Sequence, residues 1–139
     1  MEKLTYMERD YAARLEKYID DENYSMCLYA ALARRCGGNM AATLRAMSED
    51  ESRHLRAMQM EYYLLTGDSR HCPKADTEGD MSELMRSAYA GEWSAAVGYE
   101  REAEMQMDGA LREVFRAQSA DELRHRANVK KMLGGMLGM

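Results

Sequence analysis

Two heptapeptides in this chain, Ser48–His54 (SEDESRH) and Ser119–His125 (SADELRH), share the pattern Ser-x-Asp-Glu-x-Arg-His and hold two of the three histidines. Helical residues three apart project from one face, so Glu51 with His54, and Glu122 with His125, can each aim a carboxylate oxygen and an imidazole nitrogen at one point. Oxygen and nitrogen donors of this kind suit first-row divalent metals. A lone Glu-x-x-His is a weak signal, because such pairs are common on helix surfaces. Two copies with the same flanking Asp and Arg are a much stronger one.

The repeat is longer than the heptapeptide. Glu22 maps onto Glu92 at an offset of 70, and Glu51 and His54 map onto Glu122 and His125 at an offset of 71. Tyr29 and Tyr99 lie seven residues beyond Glu22 and Glu92, two turns along the same helix face. The chain therefore reads as a duplicated pair of helices.

Composition agrees with helices. Val and Ile together number four, there is one Pro, and Ala, Leu, Met, Glu and Arg dominate. Gly and Pro punctuate four helical runs, expected at about 7–36, 40–66, 81–107 and 109–133, with Asn39 and Asp80 as N-caps and Gly37-Gly38, Gly67 and Gly134-Gly135 as stops. Two short connections and one long one, GDSRHCPKADTEG, predict an all-α antiparallel four-helix bundle: two hairpins joined by a crossover, in one domain over 1–139. Thirteen extended residues reach at most about 43–47 Å against about 40 Å for a 27-residue helix, so the crossover can span the bundle. The alternative is an exchange of hairpins between two chains of a dimer.

In this register Glu22, Glu51, Glu92 and Glu122 all fall near the middle of their helices. One Glu from each of two helices and Glu-x-x-His from each of the other two is the donor set of dinuclear iron or manganese carboxylate sites in bundle cores. Six metal ligands are expected: Glu22, Glu51, His54, Glu92, Glu122 and His125. Four buried carboxylates without counter-charge would each cost several kcal/mol in desolvation, and two divalent cations would neutralise them. Iron is expected, with manganese or zinc as alternatives that the same donors accept.

Asp50 and Asp121 precede ligand glutamates, and Arg53 and Arg124 precede ligand histidines. Metal-bound histidines commonly pass their second ring N–H to a carboxylate, which an arginine can hold, so these four are expected to orient the ligands. Tyr29, Tyr99 and Tyr18 are expected inward, either as core tyrosines with satisfied hydroxyls or as phenols that hydrogen-bond a ligand or relay an electron. His71 reads as a solvated loop residue, Cys27 as a small core residue and the methionines as core filler. Cys27, Cys36 and Cys72 form no C-x-x-C pair and suggest neither a disulfide framework nor a zinc ribbon.

The net charge of −5, without a basic stripe, argues against nucleic acid as a partner. The charged N-terminal run MEKLTYMERDYAARLEKY lacks the apolar stretch of a signal peptide or membrane span, so a cytoplasmic location without membrane insertion is expected.

At the six ligand positions, and from about residue 7 to 133, the chain resembles the ferritin-like superfamily, most of all the rubrerythrin-type di-iron domain. The DExRH form of both motifs also resembles the larger di-iron monooxygenases. The rubrerythrin resemblance implies a non-haem di-iron oxidoreductase acting on hydrogen peroxide or dioxygen, a role in oxidative stress, and a homodimer or larger assembly. Rubrerythrins usually carry a further glutamate three residues after the third-helix ligand, where this chain has Ala95, which puts their ligand exchange in doubt here. The paired C-x-x-C motifs of a rubredoxin domain are not in the sequence, so an external electron donor, such as a rubredoxin-like protein, is expected. Small residues Ala88, Ala95 and Ala96 around Glu92 leave room for a small oxidant. Two other readings compete: iron oxidation and storage, as in ferritins, and hydroxylation of an organic substrate.

Overall fold

A computed structural model describes residues 3–138. Thr5 starts the first helix, α1 (Tyr6–Arg34), through a capping box. Its hydroxyl accepts the Glu8 N–H at 3.1 Å, and the Glu8 carboxylate accepts the Thr5 N–H at 2.9 Å. Those bonds hold the Glu8 carboxyl below its usual range. The second helix, α2 (Gly38–Thr66), begins two residues earlier than expected: Gly37, not Asn39, is the N-cap, and it makes no side-chain capping bond. Gly38 at φ +59 turns the chain into α2, a conformation glycine adopts without steric cost. Gly67 at φ +83 ends α2, its N–H reaching the Tyr63 carbonyl at 2.8 Å.

The third helix, α3 (Met81–Met105), is capped by Asp80 as its sequence indicates. Asp108 caps the fourth, α4 (Gly109–Met136), by accepting the N–H groups of Ala110 and Leu111. Unlike the expected stop at 133, α4 runs through Gly134 and Gly135. Glycine costs about 1 kcal/mol in a helix interior but does not forbid it, and the left-handed turn comes only at Gly138, φ +76. The described residues are thus all-α, with four helices and no strand. None of these helices is long and apolar enough to cross a membrane.

The chain divides into two compact units at Thr77/Glu78, one per hairpin. In the first, α1 packs along α2 over a buried stripe that includes Leu15, Ile19, Leu28 and Leu32 from α1 with Leu44, Met47, Leu55 and Met58 from α2. In the second, α3 packs along α4 over Met85, Ala96, Tyr99, Phe115 and Val129, the Tyr99 and Phe115 rings lying 6.1 Å apart between centroids. Each stripe follows the three-four spacing of an amphipathic helix. Each is interrupted at mid-helix by buried polar residues: the predicted ligands, joined in the second unit by Gln118 and Ser119.

The first unit also includes the connecting segment after α2, which climbs alongside α1. Arg70 grips Asp20 through Nε at 3.1 Å and a terminal nitrogen at 2.9 Å, Gln59 Nε2 donates to the Arg70 carbonyl at 3.5 Å, and Asn23 Nδ2 donates to the Pro73 carbonyl at 2.9 Å. Arg70 takes φ +53, and its N–H is held by the Asp68 carboxylate at 3.0 Å. Side chains of one hairpin thus bind the main chain of an irregular strap.

Candidate metal centre

Glu22 sits where the α1 stripe would otherwise place a hydrophobe, and Glu51 and His54 do the same on α2. They are 2%, 0% and 4% exposed. One ligand atom from each lies within 4.8 Å of the other two. His54 Nδ1 is 3.3 Å from Glu51 Oε1 and 3.5 Å from Glu22 Oε2. The second unit repeats this with Glu92, Glu122 and His125, all buried, where His125 Nδ1 is 3.4 Å from Glu122 Oε1 and 3.7 Å from Glu92 Oε2. The sequence-predicted ligands therefore gather as two triads, one in each hairpin.

These separations are longer than the roughly 2.7–2.9 Å of a charge-assisted hydrogen bond. They match ligand atoms ranged about a shared cation: two donors at about 2.1 Å from a metal, subtending about 100–120°, stand roughly 3.2–3.6 Å apart. Charge makes the same point. Two buried carboxylates in one triad carry two negative charges, which one divalent ion balances, whereas leaving them ionised and uncompensated would be strongly unfavourable. These buried groups could hold metal ions.

A feature missed in the sequence explains the serine of the repeat. Ser48 Oγ donates to the Met26 carbonyl at 2.8 Å, and Ser119 Oγ donates to the Ala96 carbonyl at 2.8 Å. In each hairpin the acceptor lies four residues after the first-helix glutamate and the donor three residues before the second-helix glutamate. The bond crosses between helices about one turn from the triad and sets the axial register at which the two carboxylates meet.

The other repeated residues are placed as follows. Arg53 is paired with Asp50, and Arg124 with Asp121 at 2.9 Å, each along its own helix beside the ligand pair. Both aspartates are half-buried and both arginines exposed, so each arginine holds its carboxylate from the solvent side. Tyr29 and Tyr99 are buried at 1% exposure and Tyr18 is half-buried. Ala96 is buried, and Ala88 and Ala95 are half-buried.

Outside the repeat, His71 is exposed in the strap, and Cys27 is half-buried rather than a full core residue, as are Cys36 and Cys72. Burial, reinforced by Asp20, pushes the Cys72 thiol up, which disfavours the reactive thiolate. Glu102 was not singled out by the sequence, yet it is wholly buried on α3 and accepts from Gln106 Nε2 at 2.7 Å. Its counterpart in the first hairpin is Leu32, so no repeat marked it.

No protein-family model matches the sequence, and no curated protein sequence matches it. A solved structure of a hypothetical protein from Pyrococcus furiosus is similar to it, with a TM-score of 0.78, covering 91% of this chain and 90% of that one at 19% identity. At that identity the likeness speaks for the fold alone.

Proposed function

We propose that the chain is a non-haem dinuclear metal oxidoreductase of rubrerythrin type, in which the two triads are halves of one site that holds two iron ions. The observation that carries this reading is the duplicated buried Glu/Glu/His triad, for which a helix core has no use unless a cation compensates it. The hairpins would meet as a ferritin-like four-helix bundle, within one chain or by exchange in a homodimer. Six donors from two triads then suffice for two metals.

Bound iron would supply two electrons to the O–O bond of hydrogen peroxide or dioxygen. The chain's own residues do the rest. Glu22, Glu51, Glu92 and Glu122 would hold the ions, His54 and His125 would complete each half, and the Asp50/Arg53 and Asp121/Arg124 pairs would restrict the ligands' motion. The apolar stripes on both sides exclude water from the donors. Tyr29 and Tyr99, buried two turns from Glu22 and Glu92, would donate a hydrogen bond or pass an electron. Turning one hydrogen peroxide into two waters takes two electrons and two protons; an external donor protein or small reductant supplies the electrons.

The test is anaerobic loading with ferrous iron, counting iron per chain, then following absorbance as peroxide and dioxygen are added. Two irons per chain, oxidised by peroxide and retained through reduction, are expected. Iron taken up far beyond two per chain and mineralised would replace this reading with storage. Failure to bind iron near neutral pH would overturn it.

A further inference from the structure

The offsets that relate the triads also relate two surfaces, one covered and one open. In the first hairpin the strap lies over Glu16, Asp20 and Asn23 of α1 and over Gln59 of α2, with Arg70 supplying the positive charge. The corresponding positions in the second hairpin are Arg86, Ala90 and Trp93 of α3 and Lys130 of α4. Glu16 has given way to Arg86, Asp20 to the neutral Ala90, and neutral Gln59 to Lys130, so this surface carries two cations where the first carries two anions. Arg86, Ala90 and Lys130 are exposed and, with Tyr89 and Leu133, line an open cleft of about 370 Å³.

One lining residue of this cleft, Tyr89, is braced by a stack beside it. Arg126 lies over the Tyr89 ring at 4.1 Å and the Trp93 ring at 5.2 Å, a cation–π stack that fixes both aromatics. Its Nε is buried and has no hydrogen-bond partner among the described residues. Trp93 is nevertheless 53% exposed, an unusual place for a large apolar ring. Neither Arg86 nor Lys130 pairs with a carboxylate among the described residues.

We infer that the α3/α4 cleft of Arg86, Tyr89, Ala90, Lys130 and Leu133 docks a carboxylate-bearing segment of a partner protein. The first hairpin supplies the precedent: its equivalent surface takes a segment that brings one charge, Arg70, against Asp20 and Glu16. At the second surface the fixed charges are Arg86 and Lys130, so the segment that fits carries Asp or Glu to face them and an apolar side chain against Tyr89 and Leu133. This inference stands on the surface and does not depend on the metal reading.

Trp93 is the only tryptophan and shares the Arg126 stack with Tyr89, so its emission reports on the cleft through that stack. The full chain would be titrated with a short Asp-rich synthetic peptide and with its Asn-substituted counterpart, both metal-free and iron-loaded because Trp93 adjoins Glu92. A saturable one-to-one change is expected in both forms, at least about tenfold weaker for the Asn peptide. It should be lost in the Arg86→Glu/Lys130→Glu variant, whose altered residues are both exposed. Ala90→Leu, which fills the cleft without altering charge, should weaken it too. Absence of saturable binding, or equal binding by the charge-reversed variant, would overturn the inference. So would a Trp93 change that follows protein concentration without peptide, since the cleft would then be covered by a second copy.

Discussion

The hydroxyl of Ser119 donates to the main-chain carbonyl of Ala96 at 2.8 Å, joining α4 to α3 one turn from Glu92 and Glu122. Ser48 and Met26 repeat the bond in the first hairpin. A repeated side-chain bond to a helix carbonyl is an unusual way to hold two helices, since apolar packing alone usually suffices. Its value here is positional: a slide of one residue would shift one carboxylate by about 1.5 Å relative to the other.

Ser119→Ala should therefore cost about 0.5–1.5 kcal/mol in urea unfolding, the net worth of one hydrogen bond. Ser119→Val should cost about 1–3 kcal/mol more, because Ser119 is buried against α3 and added methyls have nowhere to go. If the bond sets register, the alanine variant also loses metal affinity, read by competition with a chelator, whereas a substitution of equal cost far from the triads does not.

The strap gives a second prediction. Arg70 binds Asp20 through two nitrogens and lies 3.6 Å from Glu16, at about one-third exposure. Solvent screening limits this network, and Arg70→Ala should lower global stability by no more than about 1 kcal/mol. The local effect should be larger. Burial is the main cause of the raised Cys72 thiol, so releasing the strap exposes the thiol and lowers its pKa. Cys72 should then react with a disulfide reagent several-fold faster than in the parent, and hydrogen exchange across 68–77 should accelerate.

The six donors were legible because each lies on a regular helix, where spacing alone tells which residues share a face. The connection from Ser48 to Met26 was not, because a serine hydroxyl declares a donor but not which helix supplies its acceptor. The strap was equally opaque: Arg70, Asn23 and Gln59 are ordinary surface residues until tertiary contact brings them together. Thr5 and Glu8 form a box whose spacing is plain in the sequence, and expecting α1 to begin at 7 passed it over. Gly134-Gly135 misled in the opposite sense, since a glycine pair stops a helix only when one of its members turns left-handed.

Tyr62 carries a pH prediction. Its hydroxyl donates to Glu16 Oε2 at 2.8 Å, and burial, with that carboxylate as acceptor, raises its pKa above the usual 10.0. The neutral phenol is the form favoured in the fold, so its contribution is complete below pH 10 and is lost as pH rises through the raised value. Tyr62→Phe should cost about 1 kcal/mol at neutral pH. The parent's margin over the variant should shrink as pH rises through that value, which thermal melts from neutral to alkaline pH would read.

The sharpest prediction concerns the carboxylates themselves. Glu51 and Glu122 are buried at 0% and 1% exposure, each beside a second glutamate and a histidine. Gln keeps the shape and removes the charge, so Glu51→Gln and Glu122→Gln should make the metal-free protein more stable, because desolvation and the neighbouring glutamate both oppose a buried negative charge. With metal the order should invert. A ligand present at about 100 times its dissociation constant stabilises the fold by about 2.7 kcal/mol per site, and each variant should lose that gain in its own half. Denaturation with and without ferrous iron measures both quantities on the same samples. Glutamates of purely structural value would give the opposite pattern, with both variants less stable without metal and indifferent to its addition.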